Sequence, residues 1–326
     1  MMAQLKLTIA LSQYDRHIPF FDGTVKPEGI DLKVLEVGQS TPLKHGSDRH
    51  GRMLRKGEFD ICELSLSSYL MAKSRGKPFT AIPVFPRRLF SLSQMWVNVN
   101  AGINSPKDLI DRRVGLSTFQ TTLSVLAKGD LQSEYGVPWR EIKWVVATEE
   151  TVPFKALEGV TVETIPRGKR IGAMLEQGEI DALMIPHPPR EVLDGSDKIR
   201  RLFADPRKEE LDYFRKNGFY PIMHVVAFKD AVLKRNSWIT RSITEAFEKA
   251  KEVSKRYYDD PNWSSLAWAR HLVEEESRLL GDDPWPYGVK RNQANLERFM
   301  GYSLDQGLME KELTVEELFA ETTLET

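Results

Sequence analysis

The sequence predicts an α/β protein built of two similar lobes. Three observations predict it. Short apolar runs of strand length alternate with helix-length stretches, the pattern of strands covered on both faces. A unit recurs: Met53-Leu-Arg-Lys-Gly-Glu-Phe-Asp60 is echoed by Met174-Leu-Glu-Gln-Gly-Glu-Ile-Asp181. In each copy a helix end, a Gly-Glu pair, an apolar residue and an Asp lead into a strand. The chain of 326 residues, 41% hydrophobic and 29% charged, is long enough for two domains.

Residues 5–11 alternate apolar and polar and read as the first strand. It ends in the polar cluster Ser12-Gln-Tyr-Asp-Arg-His17. A Pro27-Glu-Gly29 turn precedes a second strand over 30–37. A basic helix over 45–56 stops at Gly57, the residue favoured just past a helix end. Residues 59–64 form a short buried strand. Ser65, Ser67 and Ser68 then start a helix that runs to Gly76. Serines there cap open N–H groups, and the same helix end can hold an anion. Strands follow over 79–85 and 94–99, with Pro86-Arg87-Arg88 between them and a capped helix start at 104–109.

The second lobe begins with a strand over 113–116. Thr121 and Thr122 then stand where Ser67 and Ser68 stand in the first lobe, opening a helix to Gly136. Strands over 142–147 and 160–165, a helix over 171–177 and the second copy of the repeat follow. Its strand, 182–185, ends in Pro186-His187. Residues 199–203 return the chain to the first lobe. After them come a helix over 209–216, a buried strand over 219–228, helices over 237–258 and 262–280, a rigid loop over 282–288 and two short helices. The expected lobes are 1–100 with 200–326, and 101–199. Two crossings between such lobes make a hinged cleft that closes on small ligands.

Composition excludes several classes. The net charge of −1 offers no field for nucleic acid. Cys62 is the single cysteine, so no disulfide within the chain and no cysteine zinc cluster can form; it reads as a small buried hydrophobe. His45 and His50 lie five apart without an acidic third ligand in register, so no metal site is expected. The N-terminal stretch is too alternating for a signal peptide, and no run reaches transmembrane length. A cytoplasmic protein without membrane contact is expected.

Tyr14-Asp-Arg16, Glu63-Leu-Ser-Leu-Ser-Ser-Tyr-Leu70, Ile82-Pro-Val-Phe-Pro-Arg87, Pro221-Ile-Met-His224, Trp285-Pro-Tyr-Gly288 and Leu313-Thr-Val-Glu-Glu-Leu-Phe319 occur in that order. With these blocks the chain resembles the 4,5-dihydroxyphthalate decarboxylase family from about residue 5 to residue 319. The resemblance implies the type 2 periplasmic-binding-protein fold, in agreement with two lobes. It also implies decarboxylation of 4,5-dihydroxyphthalate to protocatechuate and carbon dioxide, a step of aromatic-compound catabolism. Two features depart from the family pattern: the polar insertion 38–49, and His187 where a small or aliphatic residue is expected. Both are expected near the cleft mouth.

An ortho-dicarboxylate needs charge-assisted hydrogen bonds, each worth roughly 1.5–3 kcal/mol net. Arg16, Arg87 and Arg88 follow strand ends and are the clamp candidates. Tyr14, Ser65, Ser67, Ser68, Thr121, Thr122 and His187 are further ligand contacts. Decarboxylation of an electron-rich ring needs a base at the hydroxyl para to the leaving carboxylate and an acid at the ring carbon, and no cofactor in principle. His224, Glu63 and Asp15 are the candidates. Trp285 and Tyr287 can stack on an aromatic ring or belong to the core. The alternative function is a binding protein that captures a small carboxylate without chemistry. A homo-oligomer stays open.

Overall fold

The computed structural model describes residues 4–326; the first three residues of the N-terminal stretch read above lie outside the described residues. Along the chain the strands are β1 (Leu5–Leu11), β2 (Ile30–Glu36), β3 (Ile61–Ser65), β4 (Phe79–Ile82), β5 (Met95–Asn98), β6 (Arg113–Leu116), β7 (Lys143–Val146), β8 (Val162–Thr164), β9 (Ala182–Met184), β10 (Ile199–Arg201) and β11 (His224–Lys229). The α-helices are α1 (Ile18–Phe21), α2 (Arg49–Lys56), α3 (Leu66–Ser74), α4 (Thr122–Tyr135), α5 (Ile171–Glu176), α6 (Arg190–Leu193), α7 (Pro206–Asn217), α8 (Asp230–Leu233), α9 (Ile239–Tyr257), α10 (Ala269–Leu280) and α11 (Gln293–Asp305). Among the described residues no helix is long and apolar enough to cross a membrane.

The chain divides into two compact units. One holds the residues up to Arg87 together with His224–Ala294 and Leu313–Thr326; the other holds Arg88–Met223 and Asn295–Glu312. The boundaries thus fall at 87/88 and 223/224 rather than near 100 and 200, and residues 295–312 return to the second unit.

The sheet of the first unit has the order β2-β1-β3-β11-β4. β1 runs parallel to β2 and β3, and β11 runs antiparallel to β3 and β4. Every residue of β3 is buried, the polar Glu63 and Ser65 included, as the central place of the strand in its sheet requires. The helix before it, α2, is capped by Asp48, whose carboxylate accepts the Gly51 N–H at 3.2 Å. Gly57 ends α2 at φ 58°, a left-handed conformation that glycine adopts without a Cβ clash. After β3, Ser65 caps α3 by accepting the Ser68 N–H. The C-terminal segment returns to this unit. Ala320 N–H donates to Ala81 O at 2.8 Å, and the Tyr69 hydroxyl donates to Leu318 O.

The sheet of the second unit has the order β10-β5-β9-β6-β7-β8. β5 runs antiparallel to β10 and β9, and the others pair in parallel. Both β5 and β10, expected in the first lobe, belong here. Trp96 of β5 and Ile199 of β10 pack with Val145, Met174, Leu175, Ile180 and Leu183 in one buried cluster. A short apolar run carries no mark of which sheet will complete it.

The repeated unit is a structural duplication. Asp60 accepts the Thr8 N–H and hydroxyl at 2.9 Å each, tying the approach to β3 onto β1. Asp181 accepts the Arg113 N–H at 2.9 Å, tying the approach to β9 onto β6. In both sheets this strand pairs in parallel with that neighbour and antiparallel with a later or earlier strand.

Several expected elements are shorter, among them the strand over 79–85, which ends at Ile82, and the helix over 45–56, which begins at Arg49. The strand over 219–228 begins only at His224, because Pro221 has no N–H for a ladder; its carbonyl accepts Leu89 N–H instead. The helix over 262–280 begins only at Ala269. Upstream, Asp260 and Ser264 accept the N–H groups of Asn262 and Leu266, a local bonding that competes with helix. The helix start at 104–109 is a single 3-10 turn, and one helix, α11, with two 3-10 turns closes the chain.

Candidate active site

Glu63 is the centre of the candidate site in the first unit. The β3–β11 register sets Val226 opposite Glu63 and His224 opposite Ser65. Glu63 and His224 are therefore diagonal neighbours on one face of the sheet. His224 Nδ1 lies 2.5 Å from Glu63 Oε1. The other carboxylate oxygen accepts the Ser12 N–H at 2.9 Å, just past the end of β1.

Arg49, the first residue of α2, completes the pairing. Its Nη2 lies 3.1 Å from Glu63 Oε1, and both side chains are 0% exposed. Arg49 Nε donates to Glu63 O at 3.0 Å, and Nη1 donates to Ser12 Oγ at 2.7 Å and to Val37 O at 2.5 Å. One guanidinium thus joins the carboxyl ends of β1, β2 and β3. A buried carboxylate is tolerated only with such partners.

Two histidines flank this pair. His50, next on α2, stands edge-on to His224 with ring centroids 5.2 Å apart. His17 is buried, with Nδ1 2.8 Å from Ser12 O and its ring against Tyr14 and Phe247. Cys62, buried as expected, directs its thiol at Glu63 O.

The electrostatics follow from burial and charge. Burial pushes the Glu63 carboxyl up, but Arg49 and the His224 hydrogen bond outweigh it and hold Glu63 well below the usual carboxylate range. Burial lowers His224 to about 4, against the opposing pull of Glu63. Near neutral pH the pair is an ionised carboxylate and a neutral imidazole. The proton of that imidazole lies on Nδ1, facing Glu63, so Nε2 carries the lone pair. Burial likewise lowers His17 to about 4 and, with Arg49 and His224 next, holds His50 well below its ordinary value. Burial raises the Tyr14 hydroxyl, helped by the charge of Glu63.

The expected residues of the first unit have distinct partners. Asp15 accepts from Arg16 N–H at 2.7 Å, from Arg16 Nη1 at 3.0 Å and from the Tyr258 hydroxyl at 2.7 Å. Its carboxylate is a tie between the segment after β1 and α9. Arg16 donates to Pro86 O at 2.7 Å, and its guanidinium lies 4.3 Å from the rings of both Tyr14 and Trp285. Trp285 Nε1–H donates to Phe85 O at 2.7 Å, and Tyr287 is buried. Arg87 is half-buried, and its charge acts on Tyr14, His50 and His224. Ser65, Ser67 and Ser68 are buried at the start of α3.

Arg88, Thr121, Thr122 and His187 belong to the second unit. Arg88 is buried and donates to Tyr220 O at 2.5 Å, so it is part of that unit's framework. Thr121 precedes α4 and shares a hydrogen bond with Ser124 at 2.6 Å, while Thr122 is buried. His187 is exposed just beyond β9.

Sequence reasoning missed Arg49, His50, His17 and Ser12. Arg49 closes the polar insertion 38–49, and arginine is rarely fully buried. The one available signal was Asp48, a capping residue that turns the next two side chains into a helix start. Among the described residues no group of three or more His, Cys, Asp or Glu is placed to hold a metal ion.

No family model matches the chain. A 4,5-dihydroxyphthalate decarboxylase of Comamonas testosteroni is 33% identical over 334 aligned residues, covering 100% of this chain and 99% of the relative. The chain belongs to the 4,5-dihydroxyphthalate decarboxylase family. A second relative of that description, from Pseudomonas putida, is 32% identical over 221 residues, 66% of this chain and 83% of its own length. The family chain has the fold of periplasmic binding proteins. It matches the alkanesulfonate-binding protein SsuA of Xanthomonas axonopodis pv. citri, bound to MOPS, with TM-score 0.57 and 13% identity, over 97% of this chain and 98% of that one. The desulfurization enzyme DszB matches with TM-score 0.53 and 13% identity, over 99% and 98%. A binding protein and an enzyme share the fold, so the fold alone does not decide between them.

Proposed function

We propose that this family member is a cytoplasmic decarboxylase of an aromatic dicarboxylate such as 4,5-dihydroxyphthalate, releasing carbon dioxide and protocatechuate. The observation that carries the reading is the buried Glu63–His224 pair, which presents a neutral imidazole with its lone pair on Nε2. A protein that only captures a carboxylate has no need of a proton acceptor held in one tautomer by a buried anion.

In this reading His224 takes the proton of the ring hydroxyl para to the leaving carboxylate. The electron pair released into the ring reaches the carbon bearing that carboxylate, which takes up a proton as the bond to carbon dioxide breaks. Such positioned proton transfers each contribute roughly 10²–10⁴-fold. Glu63 fixes the imidazole, and Arg49 keeps Glu63 ionised. Arg87 binds a substrate carboxylate, with Ser65, Ser67, Ser68 and the start of α3 as further donors. Tyr14 and Arg16 border the ring. Asp15 has a positioning role, through its hold on Arg16.

The test is incubation of the purified protein with 4,5-dihydroxyphthalate and mass analysis of what returns. Protocatechuate in place of the substrate supports the reading. A ligand that binds and returns intact overturns it in favour of a binding protein.

A further inference from the structure

His50 has a buried nitrogen that no described residue uses. The residue is 5% exposed, and its Nε2 is enclosed without a hydrogen-bond partner among the described residues. An unpaired buried polar atom costs stability, and an apolar side chain would fill the place without that cost. The imidazole stands perpendicular to His224, the two centroids 5.2 Å apart. His17 also has an unpaired Nε2, but its other nitrogen is held by Ser12 and its ring packs on Phe247. His50 has no such anchoring among the described contacts beyond the His224 ring.

We propose that His50 is a second proton carrier of this site: His224 takes the proton of the ring hydroxyl, and His50 delivers a proton from Nε2 to the ring carbon that loses its carboxylate. This rests on the decarboxylase reading above. The step balances. The O–H bond breaks toward His224 Nε2, and its electron pair moves through the ring to form a C–H bond with the proton of His50. The carbon–carboxylate bond then breaks, its electrons restore the aromatic ring, and carbon dioxide leaves. His224 returns its proton to the phenolate oxygen, and His50 regains one from water. The net consumption of one proton per carboxylate lost comes from solvent.

The ligand itself charges His50. The groups acting on it are Arg49 on its own helix, Glu63 on β3, His224 on β11 and Arg87 after β4. Burial and the cationic neighbours keep it neutral without ligand. A dianion beside it favours the imidazolium form, so binding draws a proton from solvent.

Phthalate, which lacks the ring hydroxyls, separates binding from chemistry. It is titrated calorimetrically into the wild-type protein and into His50→Gln in two buffers of different ionisation enthalpy. Turnover of 4,5-dihydroxyphthalate is measured on the same preparations. The expected result is proton uptake by the wild type, loss of most of that uptake in His50→Gln, and turnover in the variant reduced by about 10²-fold or more. Phthalate binding without proton uptake in the wild type overturns the proposal and needs no variant to show it. Turnover by His50→Gln within about tenfold of wild type also overturns it. Proton uptake by a wild type that leaves 4,5-dihydroxyphthalate intact overturns the decarboxylase reading and, with it, the ring-carbon step.

Discussion

His224 and Glu63 meet across two antiparallel strands, Nδ1 to Oε1 at 2.5 Å, with side chains 4% and 0% exposed. Strand register places them on one face, and Arg49 supplies the charge that makes the buried carboxylate tenable. The pair fixes which imidazole nitrogen can accept a proton.

Glu63→Gln removes that control. A neutral amide can accept or donate toward Nδ1, so the imidazole is no longer held with its lone pair on Nε2. A fall in kcat of about 10²–10⁴-fold is expected, with KM changed far less. Steady-state kinetics on 4,5-dihydroxyphthalate measure the split. An unchanged kcat contradicts the orienting role.

Arg49→Met leaves the Glu63 carboxylate buried and uncompensated. Breaking a buried pair from one side costs about 3–5 kcal/mol. Urea unfolding of the variant, with Arg49→Lys as an intermediate case that keeps the charge and loses the fork, reads this cost. A loss below about 1 kcal/mol, the range of exposed pairs, places the guanidinium outside the framework.

Acid destabilises the protein through its buried histidines. His17 and His224 are both lowered to about 4 from an ordinary value of 6.5. The unfolded chain therefore binds these protons at higher pH than the folded one. Their contribution is complete above about pH 6.5 and is lost as pH falls toward 4. Thermal melts across that window, for wild type and His17→Gln, test it: the variant's melting temperature falls less steeply on acidification.

Asp130 works in the opposite direction. It is buried in α4, accepts the Ser91 hydroxyl at 2.6 Å, and is raised by burial to about 7. The folded state holds this proton where the unfolded state has lost it, so stability from this group declines as pH rises from about 4 through 7. Asp130→Asn removes the decline. Relative to wild type the variant gains stability between pH 5 and pH 8, measured by chemical unfolding at both values; a constant difference contradicts the assignment.

The parts of the fold that are local in sequence were legible. Gly57 and Gly136 end helices as left-handed caps, and the repeated Gly-Glu-X-Asp unit marks two equivalent strand approaches. Which sheet β5 and β10 complete was not legible, because strand pairing is decided by distant partners such as Leu183 and Ile199. The site shows the same division. Glu63, His224 and Arg87 stood out by residue type at strand ends, whereas Arg49 and His50 read only as part of the polar insertion and of a basic helix. Arg49 is held by Glu63, 14 positions further along, and His50 packs on the ring of His224 from a distant strand, and no spacing rule joins a helix start to such partners.

The role of His224 is tested by single-turnover release of labelled carbon dioxide from carboxyl-labelled 4,5-dihydroxyphthalate, comparing wild type with His224→Gln. Release by the wild type is expected, with a rate lower by about 10²-fold or more in the variant and the substrate still bound. Equal release by both proteins, or none by the wild type, would contradict it.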